Sequence, residues 1–240
     1  MSNNNSLETK LNRRRALRMI GAAGAAAVAA AACNSPEAST PTGPADSTGT
    51  TGGSTNGDCA VTPSETVGPF PSLSDLVRSD IREGKPGTDL VLTVKVVNVT
   101  SGCAPVSGVN VEIWQCDTSG NYSSYGSEVG KTYLRGLQTT NANGEVTFTT
   151  LYPGWYQGRA THIHVEVKRN GQSLKVTQIA FPDSVNNEVH ATGVYASRGS
   201  NPTSNARDSI FADSLASELV TPVGNPSTGY AATFQVGINL

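Results

Sequence analysis

Tyr152-Pro153-Gly154-Trp155-Tyr156-Gln157-Gly158-Arg159-Ala160-Thr161-His162-Ile163-His164-Val165-Glu166-Val167-Lys168 is the stretch on which the reading of this chain turns. From His162 onward the residues alternate: Ile163, Val165 and Val167 are apolar, while His162, His164 and Glu166 are polar. Successive side chains of a strand point to opposite faces, so the apolar set faces a core and the two histidines share the other face. Two imidazoles on one face, with the phenols of Tyr152 and Tyr156 a few residues away, can form a metal site. Only one further histidine, His190, occurs in the chain.

The segments on either side also read as strands. Leu90, Leu92, Val94 and Val96 alternate with Val91, Thr93 and Lys95, and Val109 to Gln115 alternates similarly. Asn141-Ala142-Asn143-Gly144 is a turn signal, and the strand after it puts Val146 and Phe148 on one face. Ser173 to Phe181 and Thr228 to Ile238 are further strands. One helix is expected from about Ala206 to Leu219, with Ile210, Phe211, Leu215 and Leu219 on one side and Pro222 and Gly224 ending it. Strands separated by turn clusters, without alternating helices, predict a mainly β protein: an antiparallel β-sandwich with one short C-terminal helix.

The front of the chain reads differently. Lys10, Arg13, Arg14, Arg15 and Arg18 precede an apolar, alanine-rich run from Met19 to Ala32. That run is shorter than the roughly 20 residues of a spanning helix and fits an export signal over 1–33. Asn12 to Arg18 resembles a twin-arginine signal, although the usual Phe is absent. Ala30-Ala31-Ala32-Cys33 resembles a lipobox without its usual Leu, which makes Cys33 a candidate lipid anchor and the cell envelope or exterior the expected location. Residues 34–57 are mostly Ser, Thr, Gly, Pro and Ala with two charges, the composition of a flexible tether. The folded domain is therefore expected over 58–240.

Removing 1–33 turns the formal charge of −2 into −6, with 12 basic and 18 acidic residues left. No basic patch argues for a nucleic-acid partner. Cys59, Cys103 and Cys116 remain, which permits one disulfide in an oxidising compartment and leaves three pairings open. None has C-x-x-C spacing, so a thiolate metal site is not expected.

A resemblance adds to this reading. Val111-Glu112-Ile113-Trp114-Gln115-Cys116-Asp117-Thr118-Ser119-Gly120-Asn121-Tyr122 resembles a segment of the intradiol ring-cleavage dioxygenases, the family of the protocatechuate and catechol dioxygenases. Leu134-Arg135-Gly136, Asn143-Gly144, Phe148-Thr149-Thr150 and Pro153-Gly154-Trp155-Tyr156 follow in that family's order. Arg159 to His164 is similar to its R-x-x-H-I-H core, and Thr177-Gln178-Ile179-Ala180-Phe181 to the strand after it. Thr62-Pro63-Ser64-Glu65-Thr66-Val67-Gly68-Pro69-Phe70 resembles the opening of the protocatechuate-type members. The resemblance runs from about 62 to 181 and is similar in type to the exported, single-domain members.

The resemblance implies an intradiol-type sandwich and an Fe(III) cofactor held by Tyr122, Tyr156, His162 and His164. Two phenolates and two imidazoles are a hard, anionic donor set suited to a trivalent ion. It implies that Tyr156 leaves the metal when substrate binds, and that Arg159 and Gln178 line the substrate. Tyr152 rivals Tyr156 for the ligand role, while Tyr125 and Trp155 have weaker claims. Trp114 is expected to pack. The implied reaction cleaves a catechol or polyphenol with O2 to a cis,cis-muconate. Two other readings compete. His162, His164 and Glu166 could form a two-His-one-carboxylate Fe(II) site, but about 13 Å would separate the outer pair at roughly 3.3 Å per residue. A non-catalytic, transthyretin-like binding module is the alternative function.

Overall fold

A computed structural model describes residues 59–240. The expected export signal over 1–33, the tether over 34–57 and Cys33 lie outside the described residues. Among the described residues nine strands form two packed sheets: β1 (Asp89–Asn98), β2 (Ala104–Pro105), β3 (Asn110–Trp114), β4 (Arg135–Thr139), β5 (Glu145–Leu151), β6 (His162–Arg169), β7 (Gln172–Ala180), β8 (Val223–Asn225) and β9 (Gly229–Ile238). In the first sheet β1 is central, with β9 on one side and β5 and β2 along the other, while β8 borders β9. The second sheet runs β4-β3-β6-β7 and is antiparallel throughout.

The core lies between the sheets. Leu90, Leu92, Val94 and Val96 of β1 turn inward and are wholly buried, as the alternation predicts. They meet Ile113 of β3 and Ile163, Val165 and Val167 of β6 in one apolar cluster. Non-directional burial of this kind stabilises by roughly 1.5–3 kcal/mol per large aliphatic side chain. The turn before β5 depends on Gly144, at φ +74°, where a Cβ would stand 2.5 Å from the Val96 carbonyl oxygen.

The mainly β, two-sheet fold is as expected, and three details of it differ. The sandwich is not purely antiparallel, because β1 and β9 pair in parallel from Leu90↔Tyr230 to Asn98↔Ile238. The chain enters β9 through its hairpin with β8 and then runs beside β1 in the same direction, a parallel pairing open to two strands that no short turn joins. The predicted C-terminal helix is only the single turn α2 (Leu215–Glu218), preceded by a 3-10 turn at Asn205–Arg207. Its polar residues bond elsewhere: Asp208 Oδ1 accepts from the Ile210 amide, and Glu218 Oε1 accepts from Thr177 Oγ1 of β7. Phe211, Leu215 and Leu219 still pack together, against Ala160 and Ala180. A longer helix, α1 (Asp183–His190), stands where none was expected. Its signals were Pro182 at the start, Asp183 in the first turn, and Val185 and Val189 four apart.

Of the three cysteine pairings, the structure makes Cys59–Cys103, and Cys116 is a buried thiol. Burial pushes that thiol up to about 12, so it is inert. The segment after Cys59 crosses the outer face of the second sheet. The Glu65 amide donates to the Val176 carbonyl on β7, and the Arg78 amide donates to the Leu137 carbonyl on β4. This strap gives the polar face of β6 a cover.

Candidate metal centre

The site is laid out by strand register. His164 of β6 stands opposite Trp114 of β3 and Gln178 of β7, and Trp114 stands opposite Arg135 of β4. Directly opposed residues share a face, so Arg135, Trp114, His164 and Gln178 form one row across the outer face of the sheet. Trp114 lies flat on His164, with ring centroids 4.8 Å apart and planes 3° from parallel. Above the row the strap passes as close as glycine permits. Gly68 has φ +73°, and a Cβ there would stand 3.0 Å from His164 Cε1.

Two loops bring the phenols. The loop between β3 and β4 is shaped by Asp117, whose Oδ1 accepts from the Ser119 and Asn121 amides at 2.9 Å each. It delivers Tyr122, which stacks on Phe70 of the strap at 4.6 Å. The loop between β5 and β6 delivers Tyr156. Both hydroxyl oxygens lie 3.3 Å from His162 Nε2. His162 Nδ1 donates to the Ala160 carbonyl at 2.6 Å, so its proton sits there and the Nε2 lone pair faces the phenols. Tyr122, His162 and His164 are buried, and Tyr156 is half-buried.

Burial sets the protonation states. It pulls His162 down to about 3, helped by the Arg159 charge, and pulls His164 well below the ordinary histidine value, helped by His162. Both imidazoles are therefore neutral, the form that ligates. Burial raises both phenols, Tyr122 far and Tyr156 less, so they are protonated unless a cation is bound. His164 Nδ1 is buried and has no hydrogen-bond partner. An orphaned imidazole nitrogen, a pre-set Nε2 lone pair and two converging phenols fit a hard, multiply charged cation. Among the described residues no three His, Cys, Asp or Glu side chains converge, so a metal here would have to use the tyrosines. Glu166 is instead ion-paired to Lys168 at 3.3 Å.

Around this centre lies a polar chain that the sequence left half visible. Arg159 Nη2 donates to Gln178 Oε1 at 2.6 Å, and Gln178 Nε2 donates to the Thr66 carbonyl at 2.9 Å. Arg159 Nε and the Ala160 amide both donate to Asp208 Oδ2, at 2.9 and 2.7 Å. Asp208 thus holds both Arg159 and the residue that fixes His162. No local signal marked Asp208, which reaches Arg159 from 49 residues along the chain.

Tyr152 is excluded from the centre. It lies on the other side of the sheet, in the apolar core, with its hydroxyl donating to Asn186 Oδ1 at 2.8 Å. Tyr125 donates to the Pro71 carbonyl at 2.8 Å and steadies the strap. Trp155 donates to the Gly199 carbonyl at 3.0 Å beneath the Arg198 guanidinium. His190 lies apart, its Nε2 donating to the Pro153 carbonyl at 3.2 Å.

Two histidines on the outer face of one sheet are thus met by two tyrosines carried on loops. Residues 68–198 match the family model described as Dioxygenase, and the chain belongs to the intradiol ring-cleavage dioxygenase family. An intradiol ring-cleavage dioxygenase from Tetranychus urticae is 31% identical with a TM-score of 0.70, over 75% of this chain and 95% of that one. The dioxygenase domain of a carbohydrate-binding fusion protein from Streptomyces sp. SirexAA-E is 27% identical with a TM-score of 0.58, over 75% of this chain and 99% of that one. Catechol 1,2-dioxygenase from Candida albicans is 31% identical over 109 residues, and the match spans only 36% of either chain.

Proposed function

We propose that this protein is a non-haem Fe(III) dioxygenase that opens catechol-type rings between the two hydroxylated carbons. The observation that carries the reading is the convergence of the Tyr122 and Tyr156 hydroxyls on His162 Nε2, with His162 Nδ1 committed to Ala160. Tyr122, Tyr156, His162 and His164 would hold the iron. Bound there, ferric iron supplies Lewis-acid activation of a catecholate toward O2. In the overall reaction the ring C–C bond breaks, and both atoms of O2 enter the product as two carboxylates, a cis,cis-muconate.

The chain's own groups have separable tasks. Tyr122 is the more deeply buried phenol and stays in place. Tyr156 is half-buried beside Arg159, and its Oη accepts a proton from a catechol hydroxyl. Arg159, fixed by Asp208 and Gln178, presents a pre-oriented guanidinium where charge develops on the ring. Trp114 and the strap keep water from the His164 side.

The Cys59–Cys103 disulfide supports an oxidising location. Together with the expected export signal and the candidate lipid anchor at Cys33, this favours an exported enzyme acting on catechols or polyphenols outside the cytoplasm. Purified protein should hold one iron per chain, show a tyrosinate-to-iron band in the visible, and consume O2 with catechol. An iron-free, colourless protein with the fold intact refutes the assignment.

A further inference from the structure

Arg135 occupies the end of the site's row opposite Gln178, and no reading of the sequence gave it a task. It is one of the largest wholly buried side chains, 2% exposed. Among the described residues it is in no ion pair. All its hydrogen-bond acceptors are neutral, and they belong to two segments. Nε donates to Ser123 Oγ at 3.0 Å and Nη2 to the Ser123 carbonyl at 2.7 Å, at the residue that follows Tyr122. Nη1 donates to the Phe70 carbonyl at 3.0 Å. Phe70 is the ring stacked on Tyr122. One guanidinium therefore ties the backbone carrying Tyr122 to the backbone carrying its stacking partner.

The charge has a second consequence. The Arg135 carbon Cζ lies 5.8 Å from the centre of the Tyr122 ring and 5.4 Å from that of Tyr125. A buried cation without an anionic partner is strongly disfavoured, because it gives up its hydration for nothing of equal strength. Glu112, one row along on β3, bonds Lys168 through Oε2, and its charge reaches Arg135 less strongly than the Tyr125 and Tyr122 phenols do. The anionic donor set of the proposed centre, with Tyr122 beneath the guanidinium, would supply the nearest counter-charge.

We propose that Arg135 is a positioning residue of the metal centre, a clamp that holds Tyr122 against Phe70 and supplies the positive charge facing an anionic Tyr122. The inference rests on the ferric reading above, and deepens it by giving the retained tyrosine its own supporting residue. A planar fork is needed to reach Ser123 and Phe70 at once, and lysine cannot form one.

The test compares full-length protein with Arg135→Met and Arg135→Lys, each loaded with iron. It measures melting temperature, the position of the tyrosinate-to-iron band, and the rate of iron loss to a chelator. Arg135→Met should lose iron about 10- to 100-fold faster, the range for lost supporting contacts around a metal. Its band should move to longer wavelength, because a phenolate without a neighbouring cation is easier to oxidise. Arg135→Lys should keep the band position but still release iron faster than wild type, since it keeps the charge and loses the fork. A lowered melting temperature with wild-type band and release rate in Arg135→Met marks a purely structural residue and overturns the inference. If Arg135→Met does not fold, a wild-type release rate in Arg135→Lys overturns it equally. Wild-type protein that takes up no iron instead refutes the ferric reading itself.

Discussion

The two faces of β6 are almost equally buried yet do opposite work. Ile163, Val165 and Val167 on one face are wholly buried among aliphatic neighbours; His162 and His164 on the other are 3% and 1% exposed. Burial of the first set is its own reward, because apolar surface leaves water. Burial of the second is a cost, offset in part by the His162 hydrogen bond to Ala160 and by stacking of His164 on Trp114, and left unmet at His164 Nδ1. One face of the strand stores stability; the other stores unsatisfied chemistry.

Substitutions on the two faces should separate these roles. The largest effect is expected from His162→Ala, which should cut O2 consumption by about 1,000-fold or more and bleach the visible band. Far-UV circular dichroism should stay native. Loss of fold instead would mean that the polar face, too, is structural. Ile163→Ala, one residue away, should cost about 2–5 kcal/mol in denaturant unfolding while the folded fraction keeps its colour. Equal loss of colour at full folding would break the division between faces.

Gly68→Ala probes the cover. The added methyl would press on His164 from a backbone at φ +73°, so a loss of about 1–3 kcal/mol and a perturbed metal band are expected. An unchanged band would show that the strap does not define the His164 environment. The smallest effect is expected from Tyr152→Phe, which removes one buried hydrogen bond to Asn186, worth about 1 kcal/mol. Its band should match wild type, whereas Tyr156→Phe should shift or bleach it. The reverse pattern would exchange the roles of the two tyrosines.

Most of the strands, and the four residues that converge as candidate donors, were legible because their signals are local. Period-two alternation identifies a face without knowledge of the partner strand, and the motifs around Tyr122 and His162 lie within short segments. The errors lie where a signal was borrowed by tertiary contacts. In the segment 206–219 helical spacing was present, but Asp208 is drawn to Arg159 and the Ile210 amide and Glu218 to Thr177 of β7, and only one helical turn forms. Short strands such as β2 and β8, of two and three residues, carry too few alternations to be seen.

By itself, then, the amino-acid sequence determined that β6 would be a strand with two faces, and that two imidazoles and nearby phenols would be the candidate ligands. Only the tertiary structure decided that Tyr156 reaches His162 while Tyr152 enters the core. It alone chose Cys59–Cys103, laid β9 parallel to β1, and aligned Arg135, Trp114, His164 and Gln178 in one row. The physical reason is range. Which face a side chain takes follows from the alternation of its own strand, but register, loop closure and the partner of a buried charge are set by contacts between segments tens of residues apart.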